Sequence, residues 1–400
     1  MADFGAQDNT AFRAEARAWL EASFPPSLKN RHDIAASEAP VPVEGDYAIW
    51  KTRMGEKGWG VPTWPAAYGG GGLSAADARI LREEMARIGA WNPIGGMGVM
   101  MFGPTLLEYG TEEQKQRHIP PIVRGELRWC QGYSEPGAGS DLAALQTRAE
   151  DMGDHFLVNG QKVWTSGAQY ADWCFCLVRT DFTTKHEGIS FVLFDMRTPG
   201  VEVRPIKLIS GNSPFCETFL TDVKVPKENL VGPLNGGWTI GKRLLQHERN
   251  SLSGGGGSAG RFAAGTPLDA LAKTYVGVDE SGRIADPDLR SRIIRHQMEA
   301  RAFMLTLMRA QAEAKGGGGP SNATSIMKNV GSKVGQERAE LAVEIMGSQG
   351  LGWEGEGFTD KELEQTRNWL GGKATTIYGG SAEIQNNIIA KRILGLLDHQ

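Results

Sequence analysis

An α+β fold with one β block set between two helical regions is predicted, and three observations predict it. Apolar residues recur at helical spacing from Asn9 to about Arg124, at strand-like spacing from about Leu127 to Val231, and helically again after Gly236-Gly237. Strands gathered into one block, rather than alternating with helices, argue against a doubly wound parallel sheet. A chain of 400 residues also exceeds one ordinary core, so domains are expected over residues 1–125, 126–236 and 237–400.

In the first domain Phe12, Ala16, Trp19 and Leu20 recur at helix spacing, and Ser74-Ala75-Ala76-Asp77 opens a helix through Ile80, Leu81 and Met85. In the second, Phe156–Val158 and Gln161–Trp164 flank Asn159-Gly160, a two-residue turn signal that predicts a hairpin. Further strands are expected at Trp173–Val178, Ile189–Phe194 and Thr218–Val225. The third domain should carry long helices near Leu289–Ala314, Val334–Met346 and Ile384–Leu397. Glycine, at 53 residues, is about twice its usual share, and the runs Gly69–Gly72, Gly254–Gly257 and Gly316–Gly319 read as loops.

Composition removes several classes of function. A net charge of −4, with Lys+Arg 43 against Asp+Glu 47, gives no general grip on nucleic acid. No apolar run is long enough to span a membrane. The first residues lack a secretory pattern, so a cytoplasmic location is expected. The four cysteines are too few for a disulfide scaffold and fit no zinc spacing, and no metal site is expected. Cys174 and Cys176 alternate in a strand and read as small packing residues. Gly70–Ala75 formally matches a dinucleotide fingerprint, but no strand precedes it. Neither a phosphate loop of the Gly-x4-Gly-Lys-Ser/Thr type nor a Gly-x-Ser-x-Gly nucleophile elbow occurs.

Two stretches stand out in the β block. Cys130-Gln131-Gly132-Tyr133-Ser134-Glu135-Pro136-Gly137-Ala138-Gly139-Ser140-Asp141-Leu142 exposes backbone N–H groups suited to an anionic or ring-polar ligand. Lys162-Val163-Trp164-Thr165-Ser166-Gly167-Ala168 places an aromatic and two hydroxyls where a strand ends. Together with Thr376-Ile377-Tyr378-Gly379-Gly380-Ser381-Ala382-Glu383-Ile384-Gln385, they resemble the signatures of the acyl-CoA dehydrogenase family, in order and across essentially the whole chain.

The resemblance implies a central β-barrel or sandwich domain, a C-terminal four-helix bundle, and FAD bound between these domains. In the family a neighbouring subunit completes the site. Gln131, Tyr133, Ser134 and Ser140 match the flavin-facing part of the first signature, and Ser140 also lies near the CoA chain. Trp164, Thr165 and Ser166 match the segment packed on the flavin ring. Ser381 and Glu383 match flavin contacts at a helix start. Glu344, Gly347 and Ser348 fall where a neighbouring subunit reaches the cofactor pyrophosphate, although the family often has other residues there. The family's Arg-x-x-Phe-Gly segment has no counterpart in Leu271–Gly277.

The family reaction removes a proton from Cα and a hydride from Cβ of an acyl-CoA, and needs a carboxylate at Cα. Many members carry that Glu directly after the Tyr that matches Tyr378; here the residue is Gly379. A minority, including isovaleryl-CoA and long-chain acyl-CoA dehydrogenases, place it on an earlier helix immediately before an Arg, and Glu248-Arg249 matches that pattern. Independently, Leu244 and Leu245 stand one turn before Glu248 and Leu252 one turn after, an apolar stripe that would raise a carboxylate's pKa. Glu248 is therefore the expected base. Arg249, Gln246, Tyr378 and Gly379 are expected substrate contacts, and the backbone N–H of Gly379 an oxyanion donor. His247 is expected on the helix surface.

The expected activity is dehydrogenation of an acyl-CoA to its trans-2-enoyl-CoA, with electrons leaving to an electron-transfer flavoprotein. Loss of the side chain at 379 suggests an acyl group branched, cyclic or of the sterol-side-chain type. The assembly is expected to be a homotetramer, or a heterotetramer with a second subunit of the same fold. The rival readings are a non-catalytic subunit of such a mixed tetramer and an acyl-CoA oxidase.

Overall fold

The computed structural model describes residues 10–31, 44–253, 266–315 and 324–396, with the side chains of 248–253, 311, 314, 315, 324 and 325 outside the description. The described chain forms two compact units. One joins residues up to Ile206 with Pro214–Glu248; the other joins Lys207–Ser213 with Arg249 onward.

In the first unit, α1 (Thr10–Ser23), α2 (Gly45–Glu56) and α3 (Ala75–Ile88) enclose a core of Ala16, Leu20, Trp50, Met54 and Leu81. Ser74 caps α3 as expected, accepting from the Asp77 backbone N–H. A buried carboxylate ties two of these helices. Glu84 of α3, 2% exposed, takes hydrogen bonds from Arg13 (2.9 Å) and Arg17 (3.0 Å) of α1 and from Arg87 (2.8 Å). Its pKa is held down to about 2, chiefly by the Arg17 bond, which with Arg13 and Arg87 outweighs burial. A depressed carboxylate stabilises the fold above its ordinary range and loses that contribution as pH falls. Glu84→Gln should therefore lower the melting temperature at pH 7 and flatten its fall between pH 4.5 and 2; melting curves across that window check it.

Two further helices, α4 (Gly103–Tyr109) and α5 (Glu112–Val123), lead into the sheet. Eight strands form one connected sheet: β1 (Trp129–Gly132), β2 (Arg148–Asp151), β3 (His155–Ser166), β4 (Trp173–Arg179), β5 (Ile189–Asp195), β6 (Val201–Ile206), β7 (Phe215–Pro226) and β8 (Leu230–Val231). The order is β6-β7-β3-β2-β4-β5-β8, and β1 pairs in parallel with β4. Alternate residues of β4 and β5 feed two cores. Phe175, Leu177, Phe191 and Leu193 join Phe102 and Trp129, while Cys174, Cys176, Val178 and Val192 join Phe156 and Val223. Burial raises the thiols of Cys174 and Cys176 well above the ordinary range, in keeping with packing.

Asn159-Gly160 is not a hairpin turn. Both residues lie within β3, which pairs along its length with β7 through a register shift between Val158 and Gly160. Asn159 exchanges hydrogen bonds with Asp222 (3.0 and 2.8 Å), and a Cβ at Gly160 would meet Thr147 Oγ1 at 2.5 Å. Glycine there serves a close strand approach, and long-range pairing overrides the local turn code. The actual turn joins β2 to β3 at Gly153, φ +97°.

The first unit ends within α6 (Gly237–Ser253), at Glu248, and Ile240 and Leu244 of that helix are buried in the first sheet core. The second unit contains α7 (Leu268–Tyr275), α8 (Pro287–Lys315), α9 (Thr324–Met346), α10 (Asp360–Gly372) and α11 (Ala382–Ile388). Helix α11 passes into a π-turn at Ile389–Ile393 and ends before the expected Leu397, which lies outside the described residues. The glycine runs 254–257 and 316–319 lie outside them too.

Candidate active site

The two β-block signatures meet side by side. The Val163 N–H donates to Ser134 O at 2.8 Å, so the Tyr133–Ser134 backbone runs against β3. Gln131 sits on β1 with its Nε2 buried, and Thr165 on β3 is fully buried with its Oγ1 likewise enclosed; neither atom has a hydrogen-bond partner among the described residues. Buried polar atoms are ordinarily paired. Tyr133 is buried, Ser134 and Ser166 half-buried, and Ser140 exposed on the following loop.

Trp164, next to Thr165 on β3, is 54% exposed and held at φ +60°. A bulky L-residue in the left-handed region is strained, and such strain collects at functional sites. It falls where the pairing of β3 with β7 shifts register, between Lys162 and Thr165, and its ring meets Phe215 edge-on at 6.0 Å. An exposed, strained indole on the strand that carries the unpartnered Thr165 hydroxyl, with the unpartnered Gln131 amide on β1, fits a flat, ring-polar group such as a flavin.

On α6, Leu244 is buried and Leu245 packs on the same core. The backbone of Glu248 and Arg249 is helical, and their side chains lie outside the described residues. Gln246 is exposed and accepts from Arg243 (3.0 Å), which also holds Glu108 at 2.8 Å. His247, expected on the surface, is half-buried with Nε2 3.6 Å from Glu108. Its pKa is lowered by burial first, then by Arg243. Met101 and Phe102 are buried in the core, and Phe102 stacks on Trp129 at 3.9 Å.

In the second unit, Tyr378 and Gly379 are exposed, and Ser381 caps α11 by accepting from Ile384 N–H. Gly379 has φ +65°, a conformation that would strain any glutamate there by about 1–2 kcal/mol. The segment before it is clamped by three polar side chains of α9, spaced one turn apart. Lys328 and Ser332 (2.9 Å) donate to Thr375 O, and Gln336 donates to Gly372 O at 3.0 Å. Their i, i+4, i+8 spacing was the available sequence signal. Glu344 is exposed and paired twice with Arg292 (one bond at 2.6 Å), and Gly347 and Ser348 open the exposed turn after α9. Leu271–Tyr275, where the Arg-x-x-Phe-Gly segment is missing from the sequence, lies in helix α7.

Comparison with known proteins agrees with this organisation. Models described as the N-terminal, middle and C-terminal domains of acyl-CoA dehydrogenase match residues 6–126, 130–223 and 235–394. The chain belongs to the acyl-CoA dehydrogenase family, whose members are flavoprotein oxidoreductases. It is 36% identical over 397 residues to acyl-CoA dehydrogenase IpdE1 of Mycolicibacterium smegmatis, covering 96% of this chain and 97% of that one. The solved structure titled Tcur3481-Tcur3483 steroid ACAD is 29% identical, with TM-score 0.75 and full coverage of both chains. The ChsE4-ChsE5 complex from Mycobacterium tuberculosis is 30% identical, with TM-score 0.72 and full coverage. Among the described residues no helix is long and apolar enough to cross a membrane.

Proposed function

We propose that this acyl-CoA dehydrogenase binds FAD and oxidises a branched, ring-bearing or sterol-side-chain acyl-CoA to its trans-2-enoyl thioester. The observation that carries the cofactor reading is Trp164, exposed and strained next to Thr165, whose buried hydroxyl, like the Gln131 amide nitrogen on β1, has no partner among the described residues. Gln131, Tyr133, Ser134, Ser140, Trp164, Thr165 and Ser166 would hold it, with Ser381 and Glu383. Glu344, Gly347 and Ser348 are weaker candidates, because Glu344 is acidic and already paired with Arg292. When bound, FAD supplies the hydride acceptor.

The chain's own groups supply the rest. Glu248 removes the Cα proton, and Arg249 orients it or meets the CoA. The Gly379 N–H polarises the thioester carbonyl, which the proton's low acidity requires, and the α9 clamp fixes the backbone ahead of it. Tyr378 and Gln246 face the substrate in this reading. Left-handed geometry at 379 supports a base elsewhere, and the absent side chain leaves room for a bulky acyl group. Electrons leave to an electron-transfer flavoprotein, from a homotetramer or a mixed tetramer in the cytoplasm.

A second reading, a non-catalytic subunit of a mixed tetramer, draws on the absence of the family's Arg-x-x-Phe-Gly segment from Leu271–Gly277. Anaerobic titration with straight, branched and ring-bearing acyl-CoAs separates the readings. Bleaching of the flavin band by the bulky classes is expected. Bleaching by short straight chains alone would contradict the substrate class, and no bleaching by any would favour the subunit reading. Peroxide formed under air would mark an oxidase.

A further inference from the structure

A buried ion pair lies between the two signatures, and neither the fold nor the reaction described so far uses it. Lys162 is 1% exposed and Glu135 7%. Lys162 Nζ donates to Glu135 Oε1 at 2.7 Å and to the Tyr133 carbonyl at 3.2 Å. The remaining capacity of the carboxylate is filled by backbone N–H groups, Thr147 on Oε1 at 2.9 Å and Gln146 on Oε2 at 2.6 Å. Glu135 itself closes a tight turn, exchanging backbone bonds with Ala138 at 3.1 and 3.0 Å.

Desolvation makes a buried ion pair little or no better for stability than apolar residues of the same volume. Its effect is better sought in what it fixes. Lys162 stands two residues before Trp164 and three before Thr165, and its ammonium reaches the backbone of Tyr133 and the side chain of Glu135. One cation thus ties the loop of the first signature to the strand of the second, at the point where β3 shifts register.

We propose that Lys162 and Glu135 are positioning residues for the cofactor, holding Gln131–Ser134 and Trp164–Ser166 in the relative placement that receives a flavin ring. The inference rests on the flavin reading above.

The test compares wild type, Glu135→Asp and the double variant Lys162→Met/Glu135→Gln, each stripped of cofactor and titrated with FAD. The double variant removes both charges together, which spares the fold an unpaired buried ion. Glu135→Asp keeps both charges but shortens the reach. In both, FAD affinity should fall about 10- to 100-fold, the size seen when outer-shell partners of metal ligands are removed. The bound flavin's visible band should lose resolution, and the affinity of Glu135→Asp should fall by more than its loss of apo stability accounts for. Should the double variant not fold, Glu135→Asp decides alone. Unchanged affinity and spectrum, or an affinity that falls only in step with apo stability, would overturn the inference. A wild-type chain that takes up no FAD would overturn the flavin reading itself, and the inference with it.

Discussion

Glu248→Gln is expected to slow substrate-dependent flavin bleaching by about 10²–10⁴-fold, the usual contribution of a positioned general base. The substitution keeps shape and removes basicity, so the visible spectrum and flavin content should not change. Two observations lead to Glu248. The position after Tyr378 is a glycine at φ +65°, where a glutamate would be strained. Glu248 lies on α6, one turn beyond the fully buried Leu244, on a helix anchored in the first sheet core. Stopped-flow measurement under anaerobic conditions gives the rate directly. A variant that bleaches at near wild-type rate would move the base to another residue.

Trp164→Asn should separate stability from cofactor binding. Asparagine tolerates the left-handed conformation. Relief of strain worth about 1–3 kcal/mol should offset the lost edge contact with Phe215, about 0.5–1.5 kcal/mol. The apo protein should therefore be as stable as wild type or more so by about 1 kcal/mol. FAD affinity should fall about 10- to 100-fold, because a large aromatic surface is lost from the flavin ring. Denaturant unfolding of the apo protein and an FAD titration measure the two quantities. A clear loss of apo stability would show that the indole is ordinary packing, and an unchanged affinity would remove it from the site.

The fold was legible wherever local signals and tertiary packing agree. Ser74 and Ser381 cap helices that begin where the sequence places helix starts, and the apolar runs of β4 and β5 are strands because both faces are buried. Legibility failed where distant pairing decides. Asn159-Gly160 carries a hairpin code, yet β7 runs alongside and keeps β3 extended. Strand β6 holds Glu202, Arg204 and Pro205 and pairs with β7 alone, as an edge strand can, so it lacks an apolar pattern. The signature segments were visible as motifs, but their joint was not. Glu135 and Lys162 are 27 residues apart, and only the phase of Lys162 with Phe156 and Val158 hinted at a buried lysine. The strain at Trp164 arises from backbone geometry that residue types do not encode, and the i, i+4, i+8 spacing of Lys328, Ser332 and Gln336 marks a shared helix face but not the carbonyls it meets.

The central claim is that this chain holds its own flavin, and the visible spectrum and flavin content of the purified protein test it most directly. A yellow protein carrying FAD, or one that takes it up when titrated, is the predicted result. A colourless chain that binds no added FAD would contradict the claim and make the protein the supporting subunit of a catalytic partner.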